Sequence, residues 1–207
     1  MADQQARQNL IEIASSLYQR GYATGSAGNI SLLLEDNTIL ATPTGACLGR
    51  LQPKELSKLT LSGEHIGGNK PSKEVKFHLG LYHNNPSCKA VVHLHSLYLT
   101  ALSCLSDLNY QNAIKPFTPY VVMRMGDVPV IPYYKPGDIQ IATELSKLAA
   151  NHQAFLLANH GAVTIGNSLQ DATNNYEELE ETAKLIFILK DRKIKYLTED
   201  EIKELRK

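Results

Sequence analysis

His93 and His95 are separated by one residue in an apolar segment rich in β-branched side chains. Such a segment predicts a buried strand, and alternate side chains of a strand lie on the same face. Two imidazoles on one face, one strand repeat apart, can bind a single metal ion through their ring nitrogens. The alternative is that both are ordinary core histidines, and the spacing alone leaves both interpretations open.

His160 is the candidate for a third nitrogen ligand, because it interrupts two apolar segments within an Asn-His-Gly sequence. A break at the end of a rigid strand is a common place for a functional group. Three neutral imidazoles with an open coordination position suit catalytic zinc. Glu74, near the start of a predicted helix, could complete the site or act as a base beside it. Its other interpretation is a carboxylate that stabilises the helix N-terminus.

The remaining histidines singled out by the sequence are weaker candidates. His78 and His83 lie within the helix predicted after Glu74, and an isolated helical histidine is more often packed or exposed than a ligand. His65 lies in a polar turn, where nothing nearby completes a site. We predict that it is exposed to solvent.

Two loops contain the small and hydroxyl-bearing residues that can bind an anion. Residues 21–29 are rich in Gly, Ser and Asn, and residues 42–45 read Thr-Pro-Thr-Gly. Backbone N–H groups in such loops can approach a phosphate closely. For residues 21–29, a tight connection from helix to strand is the favoured interpretation from spacing alone, and this loop matches neither a P-loop nor a dinucleotide-binding fingerprint. The alternative for residues 42–45 is a turn in which Pro and Gly have their standard roles.

The elements that must position these groups alternate between helices and strands, which predicts one α/β domain over residues 1–207. Strands are predicted for the hairpin at 30–41, for 90–95 and on both sides of His160. Residues 110–131 contain several prolines and no helical period, which favours short strands there. Helices are predicted over 3–20, from a Ser72 cap to 84, 96–104, 138–148, 168–190 and a short segment from 198. The acidic residues of the helix at 168–190 are predicted to form its solvated face: Glu177, Glu178, Glu180 and Glu181.

The composition is that of a soluble globular protein without a global electrostatic bias. The chain has 207 residues, of which 43% are hydrophobic, and its 21 basic residues balance 21 acidic ones. Neither a nucleic-acid partner nor a membrane partner is therefore expected. An odd count of 3 cysteines, without paired metal spacing, together with the lack of a secretory signal, predicts a cytoplasmic protein with reduced thiols.

Five short motifs occur in the order found in the class II aldolase/adducin family, which the chain resembles over nearly its whole length. They are Ser-Ala-Gly-Asn-Ile-Ser at 26–31, Thr-Pro-Thr-Gly at 42–45, Pro-Ser-Lys-Glu at 71–74, Val-His-Leu-His at 92–95 and Asn-His-Gly at 159–161. Each motif is weak alone, but their combination is specific. The resemblance strongly favours the metal interpretation over that of core histidines.

The resemblance implies a three-layer αβα fold with a central, mainly antiparallel sheet, and a homotetramer with sites at subunit interfaces. It implies one Zn²⁺ per subunit, or another divalent metal, bound by His93, His95, His160 and Glu74, with Glu74 also acting as the acid/base. The implied contacts of a substrate phosphate are Ser26, Asn29, Thr44, Gly45 and Ser72.

Lys73 is a departure from the family pattern, because fuculose-phosphate aldolases carry a second serine at this position. A lysine there would add positive charge next to the phosphate or another part of the substrate. We therefore expect a retuned pocket, with Lys73 among the substrate-binding residues.

Residues 123–138 and the short C-terminal segment most resemble the branch that decarboxylates 3-oxo-tetronate 4-phosphate in sugar-acid catabolism. The implied products are dihydroxyacetone phosphate and CO2, formed through a metal-stabilised enediolate. The alternatives are an L-fuculose-phosphate-type aldolase and a non-catalytic, adducin-like binding protein. Three cations are candidates to meet the substrate carboxylate, unless they are plain surface charges: Lys115, Arg124 and Lys135.

Overall fold

The computed structural model describes residues 3–207, which fold around a sheet of eight strands. In chain order the strands are β1 (Asn29–Leu33), β2 (Thr38–Ala41), β3 (Ser57–Thr60), β4 (His65–Gly67), β5 (Ala90–Leu94), β6 (Val130–Ile131), β7 (Ala154–Leu157) and β8 (Gly161–Gly166). Their order across the sheet is β4-β3-β2-β1-β5-β8-β7-β6. Neighbouring strands are antiparallel except β6 and β7, which confirms the predicted mainly antiparallel sheet.

Helices cover both faces of this sheet. They are α1 (Asp3–Gln19), α2 (Val75–Asn84), α3 (Leu97–Ser103), α4 (Pro119–Arg124), α5 (Ile139–Leu148), α6 (Leu169–Leu189) and α7 (Glu199–Leu205), with 3-10 turns at Leu48–Arg50 and Pro53–Glu55. Within the described residues, no helix is long and apolar enough to cross a membrane.

The side chains of strand β5 alternate between two hydrophobic clusters, one on each face of the sheet. Val92 and Leu94 point into the apolar cluster beneath α1, α3 and α6, whereas Val91 points into the cluster beneath α2 and α5. All five residues of the strand are buried, as expected for a strand covered on both faces. The predicted three-layer αβα arrangement is therefore confirmed.

The stretch predicted as short strands, residues 110–131, instead contains α4 and only the two-residue strand β6. Pro119 occupies the first turn of α4, where its missing N–H costs nothing, and Val121 and Val122 are buried. A helix of six residues is too short to display the apolar period that sequence analysis relies on, so this prediction was wrong.

The acidic face predicted for the long helix is also only partly solvated. Glu181 is exposed, but Glu180 is only 9% exposed and faces the start of α3. Its carboxylate accepts hydrogen bonds from the backbone N–H groups of Tyr98 (2.9 Å) and Leu99 (2.8 Å) and from the hydroxyl of Ser96 (2.6 Å). Glu180 is thus the cap of another helix, not a solvated charge.

Helix α2 begins differently from the prediction, which placed Ser72 at its cap. Glu74 occupies the N-cap position and makes no side-chain cap hydrogen bond, while Ser72 Oγ accepts from the Glu74 N–H at 3.2 Å. The Glu74 carboxylate is consequently directed away from its own helix and towards the end of β5.

Candidate active site

Three imidazoles converge where β5 and the β7–β8 turn meet. His93 lies on β5, His95 is the first residue after the end of β5, and His160 lies in the turn before β8. The ring centroids are 4.7–4.9 Å apart, and one nitrogen from each ring lies within 4.8 Å of the others. The structure thus brings together the three histidines that the sequence singled out.

Strand pairing orients His93, which is fully buried. Its Nδ1 lies 2.8 Å from the carbonyl oxygen of Ala162, on the neighbouring strand β8. Because a carbonyl oxygen only accepts hydrogen bonds, Nδ1 carries the proton and Nε2 is left with a free lone pair. This Nε2 lies 3.1 Å from the Nε2 of His95. A hydrogen bond from the other ring nitrogen to a backbone carbonyl, as Nδ1 makes here, is typical of metal-binding histidines.

The turn that carries His160 depends on its two neighbours. Asn159 has a positive φ of 56°, a conformation that Asn tolerates better than most residues. A Cβ atom on Gly161 would lie 2.6 Å from the carbonyl oxygen of Leu94, so only glycine allows β8 to start this close to β5. The Asn-His-Gly sequence therefore places His160 directly against the His93–His95 pair.

Glu74 closes the fourth side of the cluster. Its Oε2 lies 3.5 Å from His93 Nε2, and its Oε1 lies 3.4 Å from His160 Nε2. Oε2 accepts a hydrogen bond from Asn29 Nδ2 at 2.7 Å. Oε1 is buried and has no hydrogen-bond partner among the described residues. A buried carboxylate oxygen without a donor beside three imidazole nitrogens fits a divalent cation.

The electrostatics keep the imidazoles neutral, the state in which they bind metal. Burial lowers the pKa of His93 well below its ordinary value, and the neighbouring His160 and His95 lower it further. Burial also lowers the pKa values of His95 and His160, although the Glu74 carboxylate opposes this in both. Lone pairs on all three rings are thus available near neutral pH.

A cavity of about 700 Å³ opens beside the cluster. Glu74, His95 and His160 line it, while His93 lies buried beneath. The residues expected to contact the phosphate, together with Lys73, also line this cavity: Ser26, Asn29, Thr44, Gly45, Ser72 and Lys73. The arrangement places a polar, hydroxyl-rich end of the cavity close to the cluster.

The loop before β1 approaches the site closely. Gly28 has a φ of 83°, and a Cβ atom there would lie 2.7 Å from the carbonyl oxygen of His93. Glycine is thus required by both backbone conformation and space. The small residues in this loop allow its backbone to come within contact of β5.

The three candidate cations for a substrate carboxylate do not line this cavity within the part of the chain that the structure describes. Lys115 Nζ lies 4.1 Å from the ring centre of Tyr196, beside a different cavity. Arg124 Nη1 lies 3.4 Å from Asn175 Oδ1. Lys135 precedes the Pro-Gly pair that does line the cavity, but its own side chain is not among the lining groups.

Sequence reasoning missed the roles of His78 and Asn29. The side chain of His78 is buried and lies 2.6 Å from Asn29 Oδ1 through its Nε2 atom. The amide of Asn29, assigned to phosphate from the resemblance, is thus bonded to both His78 and Glu74. The four-residue step from Glu74 to His78 places both on one helix face, but it does not identify Asn29 as their common partner. His65 is exposed, as predicted.

The family model described as the Class II Aldolase and Adducin N-terminal domain matches residues 8–187. The chain belongs to the class II aldolase/adducin family. The motifs in the sequence therefore led to the right family, and the architecture described above is that of its members.

Curated proteins similar to this chain include two named activities. A protein of Escherichia coli O6:H1 named 3-oxo-tetronate 4-phosphate decarboxylase is 68% identical, over 99% of this chain and 96% of its own. A protein of Methanococcus vannielii named L-fuculose phosphate aldolase is 37% identical, over 86% of this chain and 94% of its own. Both names denote carbon–carbon lyases, and the prediction of an enzyme of this class is confirmed.

A solved structure gives the same fold. The crystal structure of YgbL from Escherichia coli superimposes with a TM-score of 0.99 at 65% identity, over 100% of both chains. The α/β architecture is thus shared along the entire length of a similar protein.

Proposed function

We propose that this protein decarboxylates 3-oxo-tetronate 4-phosphate to dihydroxyacetone phosphate and CO2, as a step of sugar-acid catabolism. One observation carries the proposal: the chain is similar over 99% of its length to a named decarboxylase. The cluster of three histidines beside Glu74 agrees with it. The non-catalytic, adducin-like alternative is less suitable, because a binding protein does not need this cluster intact.

The chemistry of the substrate explains what the site must do. The substrate is a β-keto acid, so breaking the C1–C2 bond releases CO2 and leaves the electron pair on C2. That pair is delocalised into the C3 carbonyl, which gives an enediolate. A proton added to C2 then gives dihydroxyacetone phosphate. The site must therefore stabilise negative charge on oxygen and deliver one proton.

His93, His95, His160 and Glu74 would hold a divalent metal, which we propose to be zinc. The fit is supported by the neutral imidazoles and by the buried Glu74 Oε1 atom that lacks a donor. When bound, the metal would supply Lewis-acid stabilisation of negative charge on the substrate oxygens.

Glu74 is the proposed proton carrier. Asn29 holds its Oε2 atom at 2.7 Å, whereas Oε1 makes no hydrogen bond among the described residues and lies 3.4 Å from His160 Nε2. Glu74 would leave the metal-binding set when substrate binds, and a carboxyl group held through one oxygen can then take up and give back a proton through the other. Glu74 thereby delivers the proton that completes dihydroxyacetone phosphate.

The phosphate end of the substrate is assigned to the hydroxyl and backbone groups of Ser26, Thr44, Gly45 and Ser72. These contacts are far from the bond that breaks, so they provide binding energy and orientation. Lys73 is exposed at the same cavity and adds positive charge to a substrate with two anionic groups.

The second candidate is cleavage of L-fuculose 1-phosphate, favoured by the 37% identity to a named aldolase. This reaction forms the same type of enediolate by releasing an aldehyde instead of CO2, so the cluster would serve both. The substrate, not the site chemistry, separates the two proposals.

Product analysis over a panel of phosphorylated four- to six-carbon sugars and keto acids distinguishes them. We expect CO2 and dihydroxyacetone phosphate in equal amounts from 3-oxo-tetronate 4-phosphate. A much higher kcat/KM for cleavage of L-fuculose 1-phosphate would overturn the assignment in favour of the aldolase.

We further propose that residues 1–207 form one domain that assembles as a homotetramer, with the sites at subunit interfaces. Large exposed apolar side chains support burial by other subunits, among them Leu97 (69% exposed) and Tyr120 (59% exposed). Three free cysteines, Cys47, Cys88 and Cys104, support a reducing, cytoplasmic location. A light-scattering mass for the native protein tests the assembly.

A further inference from the structure

A chain of buried polar side chains leads from Glu74 into the layer between β1 and α2. Asn29 Nδ2 lies 2.7 Å from Glu74 Oε2, and Asn29 Oδ1 lies 2.6 Å from His78 Nε2. On the other side of the ring, His78 Nδ1 lies 2.6 Å from Ser31 Oγ, which lies 2.7 Å from the Tyr82 hydroxyl. Each of the four residues behind Glu74 is less than 10% exposed.

The periodicity of two elements creates this chain. Asn29 and Ser31 are alternate residues of β1 and so share one face of the sheet. Glu74, His78 and Tyr82 follow at four-residue steps along α2 and share one face of the helix. The two rows lie against each other, and their polar groups alternate along the contact.

The carboxylate fixes the direction of every hydrogen bond in the chain. Because an ionised carboxylate only accepts, Asn29 presents its NH2 group to Glu74 and its carbonyl oxygen to His78. His78 must then carry its proton on Nε2. Burial lowers the pKa of His78 to about 3, so the ring is neutral and Nδ1 accepts from the Ser31 hydroxyl. Ser31 in turn accepts from Tyr82.

Burying four polar side chains is costly unless each makes hydrogen bonds, and each of the four does so here. An apolar replacement would fill the same layer more simply. The arrangement is therefore better explained by what it does to the carboxylate at its end. It holds one oxygen of Glu74 and leaves the other towards His160.

We propose that His78 is a positioning residue, which locks the Asn29 amide so that its NH2 group holds Glu74 Oε2 and leaves Oε1 for the reaction. Without a donor at His78 Nε2, the amide of Asn29 loses its second anchor and can rotate, which places an oxygen against the carboxylate. The catalytic consequence rests on the proposed function of Glu74, whereas the hydrogen-bond order does not.

The first test reads the hydrogen-bond order directly, without any substrate. In NMR spectra of protein labelled with ¹⁵N-histidine, the two neutral tautomers have distinct nitrogen shifts. The His78 signals are assigned by their loss in His78→Gln. We expect a neutral ring protonated on Nε2 at pH 7. A ring protonated on Nδ1, or on both nitrogens, overturns the proposal whatever the enzyme's substrate is.

The second test measures the catalytic consequence with a matched pair of variants. His78→Leu removes the donor and should lower kcat by about 10–100-fold, with KM within about threefold of wild type. His78→Gln retains an N–H group that can reach Asn29, and it should recover most of that loss. A purely structural role would lower the melting temperature of both variants without this difference in kcat.

His83→Leu is the control, since His83 is an exposed residue of the same helix. It should leave kcat unchanged. A folded His78→Leu enzyme with wild-type kcat contradicts the positioning role. If that variant does not fold, His78→Phe serves instead, because it keeps a planar ring of similar size and removes the donor to Asn29. Wild-type kcat in folded His78→Phe contradicts the role equally.

Discussion

The two oxygens of Glu74 have different surroundings, and the proposed chemistry depends on this difference. Oε2 accepts from Asn29, while Oε1 faces His160 without a hydrogen bond among the described residues. One oxygen is thereby anchored and the other is available. The residue can carry a proton without losing its position.

Glu74→Gln should lower kcat by about 10²–10⁴-fold, because an amide of the same shape cannot exchange the proton. Steady-state rates of dihydroxyacetone phosphate formation give the measurement. Glu64→Gln, at an exposed position outside the cavity, is the control. A Glu74→Gln enzyme with more than about a tenth of the wild-type kcat would remove Glu74 from the role of proton carrier.

The sequence could single out the three histidines as candidates because each has a local signature, and the family resemblance then favoured a metal site over core histidines. His93 and His95 follow from strand alternation, and His160 follows from the break between two apolar segments. The roles of Asn29 and His78 could not be predicted in this way. They depend on how β1 lies against α2, and within the helix His78 merely looks like part of the packed stripe.

At the scale of elements, helix α3 begins immediately after His95 and is held by a residue far along the chain. Glu180 of α6 accepts the N–H groups of Tyr98 and Leu99 and the hydroxyl of Ser96. The two N–H groups are among the unpaired backbone donors of the first helical turn. The position of the segment that carries His95 therefore depends on the packing of α6 against α3.

Glu180→Ala should lower the free energy of unfolding by about 3 kcal/mol, because it leaves several buried donors without an acceptor. Urea unfolding of the two proteins measures the difference. Glu181→Ala, one residue further along the helix and exposed, should change the value by less than about 0.5 kcal/mol. Equal losses in the two variants would show that the contact with α3 contributes nothing special.

Two predictions about elements were wrong because local sequence patterns do not reveal contacts between distant residues. Glu180 resembled the solvated charges beside it because its partners are more than eighty positions away in the sequence. Helix α4 was missed because six residues between prolines and short apolar runs show no period. Local patterns are informative for long amphipathic elements, and they fail where distant contacts decide.

For the whole molecule, buried histidines make stability depend on pH. The pKa of His78 is lowered from 6.5 to about 3 in the folded protein, whereas the unfolded chain keeps the ordinary value. Between these values the unfolded state binds the extra proton. The contribution of His78 is thus complete above pH 6.5 and is lost progressively as the pH falls.

The free energy of unfolding of the metal-free protein should therefore fall below pH 6.5, by up to about 1.4 kcal/mol per pH unit for each such histidine. The dependence should be flatter by about that amount in His78→Gln than in wild type. Urea unfolding at pH 7.5, 6.0 and 5.0 measures both slopes, with His83→Gln as the control. Parallel curves for wild type and His78→Gln would contradict the assignment of a neutral buried ring.

The overall topology was available only in part from the residues themselves. Alternating apolar segments gave the α/β class, but the central pairing of β5 with β1 and β8 joins strands that are distant in sequence. No pattern within a single strand specifies such a partner. The order of several motifs along the chain, which resembles that of a known family, supplied what periodicity could not.

Metal stoichiometry tests the central claim most directly, namely that His93, His95 and His160 bind one divalent cation with Glu74. Untagged protein is prepared with supplementary zinc, dialysed, and analysed by mass spectrometry for metals per chain. We predict one zinc per chain in the wild type, and a ratio near zero after alanine substitution of any of the three histidines, with His83→Ala unchanged. A wild-type protein that binds no divalent metal, or a His160→Ala variant that binds it as well as wild type, would contradict the account.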